Sequence, residues 1–314
     1  MATDEACVAC GCAGMASWIT VRRSDPRATA ALYRLDRCRS CGTAVTVGRS
    51  RGDATGLYRG GAYAQPPAAV DRMLEPLRRL AQAAVLRALG PVAPGARVVE
   101  VGSGDGRLLR QLAERDCTVV GLEPYACQGR SGLEVRDTAV EMFDPSTEAA
   151  DVVVLWHVLE HLDNPELGLR RAVEALGCRG RIVVSVPNLG SLQARIGGRC
   201  WFHLDVPRHA VHFTQRGLVR LIGRCGLRVT RIGNLVLDQN LLGATQTLLN
   251  RLTRENNVAF RTLKRDLAGV PTRDLVVSAA AIVPAAVAGS LLETAAMVAG
   301  LGGAVVVHAE RPAA

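Results

Sequence analysis

Three groups of residues in this chain have the types and spacing for chemistry. Cys7-x-x-Cys10 and Cys38-x-x-Cys41 are two knuckles, each followed at once by a glycine, Gly11 and Gly42. Four thiolates so arranged close a tetrahedral zinc site with no open position, which makes the metal an element of folding and docking rather than a catalyst. Cys12 competes with Cys10 for the same place but breaks the knuckle spacing. The second group is Arg97-Val-Val-Glu-Val-Gly-Ser-Gly-Asp-Gly-Arg107, where an apolar run stops at Gly102, Gly104 and Gly106. Glycines at that spacing let the backbone approach a ligand closely. Glu123, about 20 residues on at the end of a second apolar run, is placed to hold both hydroxyls of a ribose, so the ligand reads as a nucleoside. The third group is rich in histidine: Trp156-His157-x-x-Glu160-His161, then His203, His209 and His212. Such imidazoles serve as general bases, as ligands of a divalent metal that polarises a keto or enol substrate, or as hydrogen-bonded structural groups, and spacing alone leaves all three open.

A dinucleotide site calls for Gly-x-Gly-x-x-Gly, but the last of those positions is here Arg107, which argues against a nicotinamide enzyme. The rhythm Gly-x-Gly-x-Gly, with Glu100 on the preceding strand, resembles the first motif of class I S-adenosylmethionine-dependent methyltransferases. Asp151 to Pro165 resembles the segment after their fourth strand, which in the ubiquinone O-methyltransferase group reads close to His-x-x-Glu-His-x-x-x-Pro. The resemblance implies S-adenosyl-L-methionine held by Glu100, Gly102, Ser103, Gly104, Gly106, Glu123, Pro124, Asp137, Thr138, Trp156 and His157, with Tyr63 from a turn-rich leader covering it. It implies His157, His203, His209, His212 and Glu160 as the catalytic candidates, with Glu160 and His161 alternatively structural hydrogen-bonding groups. Cys7, Cys10, Cys38 and Cys41 hold the structural zinc. Sugar C-methyltransferases with a zinc ribbon are similar at the front, but the similarity does not reach the C-terminal domain that carries much of their chemistry.

These groups need a scaffold. Apolar runs at Val98–Val101, Thr118–Leu122, Leu133–Val135, Asp151–Leu155 and Arg181–Val186 alternate with helical patterns, as in a doubly wound, mostly parallel, Rossmann-like α/β sheet. Leu227–Ile232 supplies a sixth strand and Ala304–Glu310 an antiparallel seventh. A helix from Val70 to Leu89, ended by Gly90-Pro91, leads into the first strand, and short strands at Trp18–Val21 and Ala31–Leu35 build the ribbon. The chain thus divides into a zinc ribbon (1–50), a leader with a cofactor-covering helix (51–90) and a methyltransferase domain (91–314) with a helical insertion at 236–301.

The insertion is unusual. Leu248, Leu252, Phe260, Leu263 and Leu267 form an apolar stripe among Arg251, Arg254, Arg261, Lys264 and Arg265, and Leu275 to Leu292 carries no charge. A strand that rejoins the sheet directly afterwards forbids a single membrane crossing, so a pair of buried or dimer-forming helices is expected ahead of a monotopic hairpin or a lipid-tail cradle. The 314 residues carry a formal charge of +9 with 4% aromatics. That balance suits an acidic substrate, a phosphate-bearing carrier or an anionic membrane surface, and nucleic acid poorly, since few rings are present to stack on bases. Ten cysteines behind an N-terminus without a leader pattern point to a reducing cytoplasm, with peripheral membrane contact through 240–300 and a homodimer both open. The expected activity is O- or C-methylation of a small amphiphilic or anionic acceptor, such as a secondary metabolite, an isoprenoid or a lipid-linked compound. Its rivals are a non-catalytic cofactor-binding partner protein and a metal-assisted C-methyltransferase of a keto acid.

Overall fold

Strands covered by helices on both faces have no solvent side, and the centre of the molecule is accordingly built from continuous runs of valine and leucine. A computed structural model describes residues 2–3, 6–49, 56–57, 68–125, 132–145, 149–234 and 236–312. The parallel strands β5 (Arg97–Val101), β6 (Thr118–Leu122), β8 (Ala150–Trp156) and β9 (Leu176–Pro187) bury Val99, Val120, Val153, Val154, Leu155 and Val184 completely. A short β7 (Val135–Arg136) extends one side, while β11 (Arg228–Gly233) and the antiparallel β12 (Ala304–Glu310) extend the other. The order is β11-β12-β9-β8-β5-β6-β7, with β12 between β9 and β11. From β5 the chain winds first toward β7 and then, from β8, the opposite way, so β5 and β8 flank the switch point where ligands bind in such sheets. The helix α1 (Ala68–Leu89) ends at Gly90, whose φ of 77° is the left-handed turn that stops a helix. The seven expected strands are all present.

The N-terminal sheet comprises β1 (Ala2–Thr3), β2 (Met15–Arg22), β3 (Leu32–Cys38) and β4 (Ala44–Val47); β2 and β3 are longer than the two strands the sequence suggested, and β1 and β4 are additional. Its last strand comes from elsewhere. β10 (Val211–His212), in the histidine-rich segment, pairs antiparallel with β4, placing Val211 opposite Val45 and His212 opposite Ala44. The N-terminal sheet is therefore completed by a strand from far along the chain.

The insertion departs from expectation. After α6 (Leu237–Asn250) and a short α7 (Val258–Leu263), residues 272–298 form one continuous 27-residue helix, α8 (Thr272–Val298), which is buried on one side only where a pair of buried or dimer-forming helices was expected. Alanine and leucine favour helix throughout, and no glycine turn interrupts the run. Only its small and polar stripe is buried. Gly289 lies against α6 so closely that an added Cβ would stand 2.9 Å from the Thr245 nitrogen.

Candidate active site

The glycine loop runs from β5 into α2 (Arg107–Ala113). Gly102, Gly104 and Gly106 have φ of 70°, 53° and 74°, the left-handed region that side chains resist. An added Cβ on Gly102 would stand 2.3 Å from Val158, whereas one on Gly104 would meet no described atom within 4 Å. Gly104 is thus the open floor of the loop. Glu123, buried at the end of β6, accepts from the Gly104 N–H (2.9 Å) and the Tyr125 N–H (3.1 Å), so the predicted ribose-binding acid faces the loop. Glu100 lies beneath it, and burial, reinforced by Asp105 and Glu123, pushes its carboxyl well above the ordinary range. Ser103 turns its hydroxyl onto Gly121. Pro124 is exposed beside Glu123, and Asp137 and Thr138 follow β7 at the same carboxyl edge. Trp156, half-buried, ends β8. Tyr63 lies outside the described residues.

His157 follows directly, and its φ of 54° breaks the strand and turns the ring aside. A short helical turn (Leu159–His161) then returns Glu160 beneath the ring. The His157 Nδ1–H donates to Glu160 Oε1 at 3.2 Å, because a carboxylate only accepts; Nε2 is buried without a partner among the described residues. Burial alone would raise the Glu160 carboxyl, but the bond from His157 and the imidazoles of His157, His161 and His209 hold it at about 2. Carbonyl acceptors orient the other rings in the same way. His209 donates Nδ1–H to the His203 carbonyl (2.9 Å), His161 Nδ1–H to Arg208 (3.3 Å) and His203 Nε2–H to Gln239 (3.3 Å). Glu160, His161 and His209 also bring one ligand atom each within 4.8 Å of one another.

These side chains wall a cavity of about 400 Å³. His157, Glu160, His161, His203 and His209 line it with Asp205 and Arg208, and the insertion contributes Gln239, Asn257, Phe260 and Lys264. His212 does not reach it, contrary to its selection as a catalytic candidate. It is buried in β10, where Nε2 lies 3.0 Å from Thr46 Oγ1 of the N-terminal sheet. Three groups were not singled out from sequence. Asp205 and Arg208 pair at 2.5 and 2.9 Å, a contact only the i,i+3 spacing hints at. Lys264 enters from an element distant in the chain, and no local pattern announces that.

The four cysteine sulfurs converge in the N-terminal sheet. Cys7 and Cys41 are 3.6 Å apart, as are Cys10 and Cys38, and all four lie within 4.8 Å of one another. A tetrahedron with Zn–S bonds of about 2.3 Å requires sulfurs roughly 3.8 Å apart, so this donor set fits zinc. Cys12 points away, exposed, toward the Cys10 carbonyl. The donor set is complete without it.

A glycine loop without a dinucleotide fingerprint, an acid at the tip of the next strand and a cavity beside them fit a class I S-adenosylmethionine-dependent methyltransferase. The chain belongs to the family described as Methyltransferase domain, which matches residues 73–232. It is 27% identical over 168 residues to the ubiquinone biosynthesis O-methyltransferase of Azorhizobium caulinodans, covering 48% of this chain and 66% of that one. It is 35% identical over 83 residues to the enzyme of the same name from Hahella chejuensis, covering 23% and 35%. The chain thus spans less than two thirds of the length of these relatives. Among solved structures, an S-adenosylmethionine-dependent methyltransferase from Archaeoglobus fulgidus aligns with a TM-score of 0.47 and 17% identity over 74% of this chain and 94% of that one. A geranyl diphosphate methyltransferase solved with GPP and sinefungin aligns with a TM-score of 0.47 and 16% identity over 80% and 84%.

Proposed function

We propose that this enzyme methylates an oxygen or carbon of a small, amphiphilic or anionic acceptor, with His157 as the general base. The carrying observation is the pair His157–Glu160: Nδ1–H is committed to a buried carboxylate, and Nε2 is left without a described partner on a residue that lines the cavity. When bound, S-adenosylmethionine supplies an electrophilic methyl on a sulfonium. The loop from Gly102 to Gly106 and Glu123 would hold its nucleoside, and the cavity would hold the acceptor. His157 Nε2 would take the acceptor's proton as the methyl leaves the sulfonium sulfur, which departs as a neutral thioether, and Glu160 would steady the resulting imidazolium. Alignment accounts for the larger share of the barrier, roughly 7 to 11 kcal/mol, against about 10² to 10⁴-fold for the base. Lys264 in the cavity lining favours an acceptor with an acidic group, and Phe202 and Phe260 favour an apolar body. The cysteine cluster holds a structural zinc.

A second reading rests on the convergence of Glu160, His161 and His209. A divalent cation there would polarise an enolisable acceptor and replace the base. Transfer of tritium from labelled S-adenosylmethionine to a panel of catechols, prenylated phenols and β-keto acids tests both, with and without a chelator. Base catalysis predicts transfer to a phenol that survives chelation and disappears in His157→Ala. Transfer abolished by the chelator and restored by magnesium or manganese would replace this mechanism with the metal-assisted one.

A further inference from the structure

The helix α8 is built inside out. Its inward stripe carries Asp274, Ser278, Gly289 and Glu293, all buried, with Asp274 accepting from the Arg254 and Glu255 N–H groups and Glu293 from that of Gly303. Its outward side carries Val276, Ile282, Val283, Val287, Leu291 and Val298, which are 37 to 88% exposed. A helix facing water has the opposite arrangement. The neighbouring α7 segment adds exposed Leu263 and Leu267.

Charge sorts in the same way. Among the described side chains from 239 to 300, the exposed charges are Arg251, Arg254, Arg265 and Arg273, all positive; Glu255 and Asp266 are half-buried, and Asp274 and Glu293 are buried. Arg254 and Arg273 lie at the N-terminal end of α8, where Arg273 pairs with Asp274 and the Arg254 N–H bonds to the same carboxylate. The helix does not cross a membrane, because its inward stripe is fixed to the rest of the protein at Asp274, Gly289 and Glu293 and Gly302-Gly303 leads at once into β12.

We propose that this face docks the protein on an anionic lipid bilayer, with the outward side of α8 lying in the boundary between headgroups and acyl chains and the arginines against acidic headgroups. A second copy of the chain fits less well, since its own insertion offers no exposed described acid to meet the arginines. The family match ends at residue 232, before the insertion, and the proposal does not depend on the reading of the active site.

Co-sedimentation of the full chain with vesicles tests it. Vesicles of phosphatidylcholine mixed with phosphatidylglycerol bind the protein, and phosphatidylcholine alone binds it at least about tenfold less tightly. Val283→Glu with Leu291→Glu, on exposed positions that leave the fold intact by circular dichroism, lowers binding about tenfold or more. Arg254→Gln with Arg265→Gln lowers it selectively for the acidic vesicles. Failure to sediment with either vesicle, or binding unchanged by the two glutamates, overturns the proposal. So does a dimer, seen by light scattering, that the same glutamates split while no vesicle is bound; that outcome assigns the face to a second copy.

Discussion

Arg208 Nη1 lies 2.7 Å from Asp25 Oδ2, an ion pair between two almost fully buried side chains that ties the cysteine-bearing sheet to the histidine-rich loop. The same guanidinium holds Asp205 on the cavity wall through Nε and Nη2. Removing either end leaves the other in a buried cluster with one partner fewer, Arg27 still on Asp25 and Asp205 still on Arg208. Asp25→Ala is expected to destabilise the protein by about 1 to 3 kcal/mol in urea unfolding, and a double variant with Arg208→Met by less than the sum of the two singles. Additive losses would show that the pair is not coupled.

The cysteine tetrad predicts one tightly held zinc per chain. Cys38→Ser should lose it and unfold at lower temperature, while Cys12→Ser, whose sulfur points elsewhere, should keep it. Atomic absorption on the purified proteins decides this. Zinc missing from the Cys12 variant, with the tetrad intact, would contradict the assignment.

Cofactor affinity should depend on Glu123 and Gly104. Replacing Glu123 by alanine removes the acceptor facing the loop, and Gly104→Val places a branched side chain at φ 53° on the loop's open floor. Calorimetric titration with S-adenosylmethionine is expected to show a loss of tenfold or more for Glu123→Ala and no measurable binding for Gly104→Val. Wild-type affinity in Glu123→Ala would remove the basis for the cofactor site.

Turnover should separate from binding at the dyad. His157→Ala and Glu160→Gln are expected to lower kcat by about 10² to 10⁴-fold and less than that, respectively, with the cofactor Kd unchanged. His212→Gln should leave kcat nearly intact, since its ring is buried against Thr46 away from the cavity. A fall in kcat for His212→Gln as large as for His157→Ala would defeat this division of roles.

Acid should weaken the fold before carboxylates matter. Burial, with the charge of neighbouring histidines, pushes His203 and His212 from the ordinary 6.5 to about 3. The unfolded chain therefore takes up protons first as the pH falls: their contribution is complete above pH 6.5 and is lost progressively toward pH 3. At pH 5 each costs on the order of 2 kcal/mol relative to pH 7.5. Urea midpoints at the two pH values test this, and His212→Gln should flatten the dependence; an equal slope in that variant would count against the buried ring as its source.

What the sequence revealed followed from local rules. Val98 to Val101 ending at Gly102 could only be a buried strand meeting a tight turn, and the acid at Glu123 followed from strand spacing. The tetrad was legible because knuckle spacing is a chemical requirement. The cavity was not, because its two walls lie far apart in the chain: His157 and Phe260 meet only after β12 returns the insertion to the middle of the sheet. The continuous helix across Leu275 to Leu292 was misjudged for a physical reason as well. Hydropathy announces that a run is apolar but not which side of it is covered, and here the covering falls on the polar side.

The pairing of β4 with Val211 and His212 orders events during synthesis. The cysteine-bearing strands leave the ribosome early, yet their sheet stays open until the far later histidine segment emerges to close it. A chain truncated before Val211 would keep all four sulfurs while presenting a bare strand edge, which is an invitation to aggregate, and it would have no place for an acceptor. Completion of the cysteine-bearing sheet thus comes before the cavity is whole, since Gln239, Asn257, Phe260 and Lys264 follow Val211 in the chain.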